Sequence, residues 1–471
     1  MSRVTQTSES VHRTLRAGAL AAGIIWAGAA DASDTHYEDF PVGGRAVGLG
    51  GAFTAIADDP SGIFYNPAGL VDATRANVQV SANLYGLEFA VTEDDVLSSV
   101  AKRLIEFERV FAELAIIPSS AGFLEHFGPK DESGRYSHSW GTAVFVPEYR
   151  GASVRTVTEG PNPGELILYR RQTLDRALRP AAAYAYRIDD TWSFGVAGSV
   201  AYRSLKEREE TSLVSDLSAP SQSFTGSSSE LDAWSAALSF TFGIKASLDD
   251  RFIAGLSVTA PGVQVADSAS LEVVRTFARQ GSPTRLHFDR PTEIEFSSET
   301  GAAIRLGGAY VVPRELTVAV DLSMHAPINY RLLKVTASPT TLETLTLISE
   351  IERRGVIDLA IGIERLFSKQ FSVAAGVYTN FSSAPDIPGE SGARLDRAYL
   401  ADVDGLGGSL VLGFFSDHTL TRVGLVSMYG HGEDVIPRSE ELRPIGSGGT
   451  FRKLEVSQLF LYFFLSSTFR Y

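Results

Sequence analysis

Apolar and polar side chains alternate with a period of two along most of the chain beyond residue 32. In 191–203 the even positions run from Trp192 to Tyr202 and are mostly large and apolar, whereas the odd positions are small or polar. This alternation is typical of a β-strand with different surroundings on its two faces. At ~3.3 Å per residue the two end aromatics lie about 33 Å apart along the strand. Tilt reduces that to roughly 25 Å, the height of the lipid-facing band of an outer-membrane barrel.

The same alternation recurs in 234–245 and 315–324 and indicates which face meets lipid. In the second segment the carboxylates of Glu315 and Asp321 lie on the polar face, opposite an apolar row that begins at Leu316. A charged side chain toward lipid costs about 2–4 kcal/mol, whereas a barrel interior accepts it. The pattern therefore predicts apolar side chains outside and polar side chains inside.

Short turns join the alternating segments in pairs, and long polar connections separate the pairs. The predicted turns are Asp189-Asp190, Asp249-Asp250, Pro313-Arg314, Ser368-Lys369 and Asp417-His418. The predicted long connections are 204–231, 261–301, 326–355, 382–405 and 431–456. Outer-membrane barrels have this asymmetry, with short periplasmic turns and long extracellular loops.

These hairpins supply ten strands, and 76–90, 139–147, 150–158 and 457–471 add four. We therefore predict an all-β fold, a transmembrane antiparallel β-barrel of about fourteen strands. Twelve or sixteen strands stay open, because the pair within 139–158 is weakly patterned. The last strand ends on Tyr471. This terminal aromatic resembles the signal that the bacterial outer-membrane barrel assembly machinery reads.

Two segments have helical rather than strand spacing. Residues 93–115 are predicted to form a helical insert in an extracellular loop, with an apolar row that includes Leu104, Phe107 and Phe111. Thr341–Arg353 is a shorter candidate helix. The row in 93–115 either packs on the barrel's own loops or lines a docking groove for a hydrophobic molecule.

Residues 1–32 have the features of a cleavable export signal. Arg3, Arg13 and Arg16 precede a short apolar run and then small residues. The run is shorter than the roughly 18 residues that a spanning helix needs. The expected organisation is a signal peptide (1–32), a non-alternating N-terminal segment (33–75) and a barrel (76–471).

Composition restricts the partners. A net charge of −14 argues against nucleic acid as a partner. The absence of cysteine excludes disulfides and thiolate metal sites. The eight histidines complete no recognisable nucleophile motif. We therefore expect no enzymatic activity, no metal and no cofactor.

Residues 40–70 are rich in glycine and alanine and precede the first strand. Within them Ala57-Asp58-Asp59 and Asn66-Pro67-Ala68-Gly69-Leu70 closely resemble the N-terminal hatch of the long-chain fatty acid and aromatic hydrocarbon transporter family, the FadL/TodX type. The resemblance implies a fourteen-stranded outer-membrane barrel whose lumen is plugged by the hatch (33–75). It also implies capture of a hydrophobic molecule outside, followed by diffusion through hatch movement and a lateral opening.

On this basis we expect passive uptake of a fatty acid or an aromatic hydrocarbon across the outer-membrane lipid. An apolar passage would replace the solvation that such a solute lacks in a polar pore. The hatch motif residues are Asp58, Asp59, Asn66, Pro67 and Ala68. Candidates for the hydrophobic path are Phe53, Ile56, Ile63, Phe64, Tyr65, Leu104, Phe107 and Phe111, for each of which simple packing is the alternative. A scaffold or shuttle barrel for surface-protein secretion and a general porin are the competing functions.

Overall fold

The computed structural model describes residues 35–92, 116–131, 134–159, 166–214, 223–279, 281–335, 350–387, 401–437 and 451–471. The expected signal peptide (1–32) and the predicted helical insert (93–115), with Leu104, Phe107 and Phe111, lie outside these residues. Within them, no helix combines the length and apolar character needed to cross a membrane.

The described residues contain many strands and three short helices. The strands are β1 (Asn77–Thr92), β2 (Ile116–Lys130), β3 (Tyr136–Glu159), β4 (Leu166–Arg187), β5 (Trp192–Val214), β6 (Ser223–Ser247), β7 (Phe252–Thr259), β8 (Val263–Arg279), β9 (Arg285–Asp289), β10 (Ile294–Phe296), β11 (Ala303–Val312), β12 (Leu316–His325), β13 (Ile328–Arg331), β14 (Leu333–Val335), β15 (Glu350–Arg353), β16 (Val356–Ser368), β17 (Phe371–Asn380), β18 (Asp402–Phe415), β19 (Thr419–Pro437) and β20 (Phe451–Arg470). The helices are Gly44–Gly48, Gly62–Tyr65 and the 3-10 helix Pro67–Asp72.

Fourteen of the strands close into an antiparallel barrel, which confirms the predicted fold class. Their order is β1-β2-β3-β4-β5-β6-β7-β11-β12-β16-β17-β18-β19-β20, and β20 pairs with β1. All five predicted turns are confirmed, and they lie at one end of the barrel, here the turn end. Both barrel termini meet there, where Tyr471 N donates to Ala76 O. The long connections lie at the opposite, loop end.

Hydrogen bonds within two of the turns explain why aspartate occurs there. Asp249 accepts from the backbone N–H groups of Arg251 and Phe252, both at 2.7 Å. The bonds from Phe252 and Arg251 hold the pKa of Asp249 below its usual range. Asp189 accepts in the same way from Thr191 N and from Trp192 N at the start of β5. Each aspartate thereby satisfies backbone donors that the turn leaves unpaired.

The predicted strand pair 139–147 and 150–158 is wrong, although the total of fourteen is right. Residues 136–159 form the single strand β3, and the strand missing from the prediction is β2. The pairing of β3 with β4 shifts register between Phe145 and Glu148, around Pro147. This bulge interrupts the alternation and imitates a turn in the sequence.

Two of the predicted long connections, 204–231 and 261–301, contain long paired strands in their described parts. Residues 204–214 and 223–231 continue β5 and β6 as one extended hairpin, and 263–279 form β8. The candidate helix Thr341–Arg353 is wrong in its described part, because Glu350–Arg353 is strand β15 paired with β13. Burial alternates there, with Ile351 and Arg353 inside.

The outer surface of the barrel carries the predicted apolar belt. Phe242, Ile363 and Leu410 are 56%, 46% and 54% exposed. Their neighbours in sequence, among them Thr241 and Glu364, point inward and are buried. Exposed apolar area on this scale is incompatible with water and matches a lipid-facing surface.

Residues 42–76, here called the interior segment, lie inside the barrel. Between Gly44 and Asp72 they contact every one of the fourteen barrel strands. Wall glycines permit this close packing. A Cβ on Gly376 would lie 2.1 Å from Gly50 N, and one on Gly362 would lie 2.5 Å from Leu49 O. Larger residues at these wall positions would exclude the segment.

A second apolar cluster lies at the loop end. Two small sheets, β10 with β14 and β13 with β15, form what we call the cap. Its buried side chains, including Phe296 and Ile351, pack on Leu205, Leu231 and Leu271 of the extended strands. The cap therefore covers the loop end of the lumen above the interior segment.

Candidate functional site

Two neighbouring cavities lie inside the barrel. The lining of the first chamber includes Arg179 and Arg203, and that of the second includes Asp358 and Tyr378. Glu38, Arg305 and His325 line both chambers. Residues 35–41, here called the N-terminal strip, border both chambers with Tyr37, Glu38 and Asp39. The two chambers are therefore next to each other in the lumen.

Four inward-facing arginines line the first chamber, and three of them are held by neighbours. Arg203 binds Asp175 at 2.6 and 3.0 Å and donates to Tyr330 Oη at 3.1 Å. Arg305 pairs with Glu38. Arg353 donates to Ser383 Oγ at 2.9 Å. Such pairing is what buried charges require.

The fourth arginine, Arg179, differs. Its guanidinium carbon lies 5.6 Å from the centroid of the Phe64 ring, and Arg305 lies over the same ring at 5.0 Å. Within the described residues Arg179 has no hydrogen-bond partner, although Glu148 and Glu38 are near enough to interact electrostatically. A guanidinium presents its donors as a planar fork that matches a carboxylate. Arg179 is thus a half-buried cation with donors available to a ligand.

The N-terminal strip is held at both of its ends. At the cap, Tyr37 stacks on His325 with centroids 4.5 Å apart, and Tyr37 Oη donates to Ala326 O at 2.7 Å. At the wall, Asp39 N donates to Pro147 O at 3.3 Å. These contacts are dispersed among the cap and the wall. They do not form a regular ladder of backbone hydrogen bonds along the strip.

The wall has a break where the strip meets it. The pairing of β2 with β3 ends at Ser120 and Phe145, and beyond it Ile116–Pro118 pair with β1 alone. Pro147 has no N–H to donate, and β3 resumes pairing with β4 at Glu148. Among the described residues, no pairing joins β2 to β3 beyond Ser120 and Phe145, beside the first chamber, which Glu148 lines.

Ion pairs anchor the interior segment. Arg45 binds Asp58 at 2.8 Å and Glu364 of β16 at 2.7 Å, and Arg422 of β19 lies 3.6 Å from Glu364. Near the turn end, Asp72 pairs with Arg187 of β4 and Lys245 of β6. Both networks balance buried charges between the segment and the wall.

The predicted hatch motif residues have structural contacts. Asn66 Oδ1 accepts from Ala68 N at 3.1 Å, and its Nδ2 donates to Thr54 O at 2.9 Å and Ile244 O at 3.1 Å. Pro67 begins the 3-10 helix. Asp59 accepts from Ser61, and Asp58 binds Arg45. These five residues fold the interior segment and attach it to the wall, and none of them lines a chamber.

The predicted path residues divide into two groups. Phe53, Ile56 and Ile63 are at most 4% exposed and pack in the closed core of the interior segment. Phe64 lies beneath Arg179 and Arg305, and Tyr65 lines the second chamber. Of these five residues only Tyr65 is a chamber-lining residue, and a role for any of them in ligand passage stays a prediction.

The chamber arginines were missed by the sequence analysis, although the pattern carries a signal for them. Arg305 lies between Ile304 and Leu306, which are 40% and 42% exposed on the lipid face. Because alternate residues of a barrel strand face opposite sides, the sequence alone identifies Arg305 as an inward-facing cation. The described residues contain no group of three or more His, Asp or Glu side chains able to hold a metal ion.

The similarity of this chain to known proteins is found by comparing structures and not by comparing sequences. No family model matches the sequence, and no curated protein matches it. A FadL homologue of Pseudomonas aeruginosa superposes with a TM-score of 0.56 at 12% identity, covering 92% of this chain and 99% of that chain. The toluene transporter TodX of P. putida gives 0.54 at 12% identity, with the same coverages. The toluene transporter TbuX of Ralstonia pickettii superposes with a TM-score of 0.52 at 12% identity, covering 92% of this chain and 99% of that chain.

The fold is of the FadL/TodX type. Nearly complete coverage of both chains extends the likeness across the barrel, although 12% identity carries no information about the ligand. With its closed antiparallel wall and apolar belt, the chain is a bacterial outer-membrane β-barrel. The turn end is then periplasmic and the loop end extracellular. The similar structures are described as channels and transporters rather than enzymes.

Proposed function

We propose that this barrel takes up hydrophobic molecules bearing an acidic group, such as long-chain fatty acids, by passive diffusion. Arg179 carries the proposal, because its guanidinium is half-buried in the first chamber and has no hydrogen-bond partner within the described residues. Similar structures are described as transporting toluene or monoaromatic hydrocarbons, or as a FadL homologue. They support uptake of hydrophobic molecules.

An acid fits the chamber better than a bare hydrocarbon. Toluene offers a guanidinium only the face of its ring, so its entry would compensate for the loss of water at Arg179 less well than a hydrogen-bond acceptor would. A carboxylate would replace that water with charge-assisted hydrogen bonds. Ala177 and Leu178 line the same chamber and would lie near the apolar chain of the acid. We therefore favour fatty acids over aromatic hydrocarbons.

The N-terminal strip is the proposed gate. It stands between the chambers and the break in the wall, where Asp39 N donates to Pro147 O. Movement of residues 35–41 would join the first chamber to the break between β2 and β3 and release the ligand sideways. The interior segment is anchored by two ion-pair networks and close backbone packing, so in this proposal it stays in place. No catalytic step is proposed.

Ligand binding by the barrel in lipid nanodiscs tests the proposal. Titration calorimetry with oleate should show saturable binding, and toluene should bind more weakly. Arg179→Gln should weaken oleate binding by about 10- to 100-fold, since hydrogen bonds to charged groups contribute roughly 1.5–3 kcal/mol. Arg170→Gln, which removes an exposed arginine of the same strand, is the matched control.

The competing functions give different results in this experiment. A scaffold or shuttle barrel for surface-protein secretion would bind neither oleate nor toluene. A general porin would also bind neither, and it would conduct ions steadily in a planar bilayer. Equal binding of oleate by the wild type and by Arg179→Gln would contradict the assigned role of Arg179.

A further inference from the structure

The second chamber contains polar groups that carboxylate binding at Arg179 does not use. Asp358 of β16 lies beside Tyr378 and Asn380 of β17, and all three line this chamber. The strand register pairs Ala360 with Tyr378, which brings the three side chains together on the inner face of the wall. They form one polar patch in the second chamber, which Arg179 does not line.

Tyr378 is the most informative member of the patch. Its side chain is 6% exposed, and its hydroxyl has no hydrogen-bond partner within the described part of the chain. The ring lies flat over Gly407 of β18, where a Cβ would be 2.1 Å from the ring. Glycine at this position therefore makes room for the ring. A buried hydroxyl without a partner is uncommon, because losing water without compensation is unfavourable.

The neighbours of Tyr378 also have hydrogen-bonding capacity to spare. Asn380 Nδ2 has one hydrogen-bond contact within the described residues, to the weak acceptor Met428 Sδ at 3.5 Å. Asp358 Oδ1 accepts from Thr379 Oγ1 at 3.0 Å and Phe381 N at 2.9 Å. For Asp358 Oδ2, the same residues provide no hydrogen bond. The patch thus offers the Tyr378 hydroxyl and Asn380 Nδ2 as donors, and Asp358 Oδ2 and Asn380 Oδ1 as acceptors.

A hydroxyl group is the ligand chemistry that matches this patch. It donates one hydrogen bond and accepts others, so it can donate to Asp358 and accept from Tyr378 or Asn380. A carboxylate would be repelled by Asp358 and by Glu38, which lines the same chamber. A plain alkyl chain would leave the donors unsatisfied. The patch therefore selects a neutral polar group at a distance from the acidic end of a ligand.

We propose that the second chamber binds the hydroxyl group of a hydroxylated hydrophobic acid whose carboxylate lies at Arg179. This proposal rests on the proposed function. It narrows the substrate class from fatty acids to hydroxy fatty acids. The shared lining residues Glu38, Arg305 and His325 show that the two chambers are adjacent, as binding of one elongated molecule to both requires.

Calorimetric titration in nanodiscs with palmitic acid and a series of hydroxypalmitic acids tests it. For at least one hydroxyl position the wild type should bind the hydroxy acid about tenfold more tightly, the equivalent of one good hydrogen bond. Tyr378→Phe should abolish this preference and leave palmitic acid binding unchanged. Tyr429→Phe, at a tyrosine 51% exposed on the outer face, is the matched control.

Two results would overturn the inference. One is a wild type that binds every hydroxypalmitic acid no better than palmitic acid. The other is a Tyr378→Phe variant that keeps the preference, or that weakens binding of both acids equally. If palmitic acid itself does not bind, the proposed function fails instead. A thermal midpoint of Tyr378→Phe no lower than that of the wild type would confirm that the hydroxyl has no partner in the empty barrel.

Discussion

The guanidinium carbon of Arg353 in the cap lies 4.2 Å from the centroid of the Tyr37 ring in the N-terminal strip. His325 also packs against the Tyr37 ring, stacked on it at an interplanar angle of 9°. Arg353 also donates to His36 O. The cap and the proposed gate are therefore in direct contact, so a ligand that displaces the cap would also disturb the strip.

Loss of this contact should open the gate. Tyr37→Ala removes the stacking, the cation–π contact and the hydrogen bond to Ala326 O, which together contribute on the order of 2 kcal/mol. We expect the population with a displaced strip to rise by about tenfold or more. Influx of a hydrophobic dye into cells should increase accordingly. Tyr37→Phe, which keeps both ring contacts, should give a much smaller increase, and equal influx for both variants would contradict the assigned role of the ring.

Arg45 should be needed to keep the interior segment in place. Arg45→Met leaves Asp58 and Glu364 without this partner, and removal of one partner of a buried ion pair costs about 3–5 kcal/mol. We expect a clear fall in the thermal midpoint of the purified barrel in detergent. Arg45→Met combined with Glu364→Gln should recover part of the loss, because the uncompensated charge is gone. A double variant as unstable as the sum of the two single variants would argue against this pairing.

Gly376 should tolerate no side chain. In Gly376→Ala the new Cβ would lie 2.1 Å from Gly50 N and 2.3 Å from Leu49 C, both in the backbone of the interior segment. The segment has to shift, so we expect faster hydrogen exchange or proteolysis within 42–76. Gly308→Ala is the control, because a Cβ at Gly308 has open space around it. Equal protection of the segment in both variants would show that it does not pack on the wall at Gly376.

The wall could be predicted from sequence because lipid imposes a strict rule on it. Every second residue faces hydrocarbon, as for Phe240 and Phe242, so the pattern persists over whole strands. The prediction fails where the alternation of lipid-facing and inward-facing residues is interrupted. Pro147 bulges β3, and the resulting loss of alternation was interpreted as a turn between two strands.

The chambers were harder to predict because their residues come from distant parts of the chain. Arg179, Arg305 and Tyr37 lie on three separate segments, and the closure of the barrel alone brings them together. The hatch motif lies in the interior segment, where Asn66 and Asp59 hold that segment in place rather than line a cavity. A short motif of this kind can consist of residues that pack the fold as readily as of residues that bind a ligand.

The central claim is that the N-terminal strip moves during uptake while the interior segment stays in place. The chain has no cysteine, so introduced pairs can be cross-linked without background. Asp39→Cys with Pro147→Cys, joined by a short bismaleimide, locks the strip to the wall break. Gly48→Cys with Ala374→Cys locks the interior segment as a disulfide. A Cβ at 48 lies 3.1 Å from that of Ala374, close to the roughly 3.5–4.5 Å of natural disulfides.

Uptake of radiolabelled oleate by cells that lack other fatty acid transporters is the decisive measurement, made before and after cross-linking. We predict that locking the strip abolishes uptake, whereas the disulfide at the interior segment leaves it at the level of its reduced form. Undiminished uptake with the strip fully cross-linked would contradict the account, as would loss of uptake caused by the interior disulfide alone.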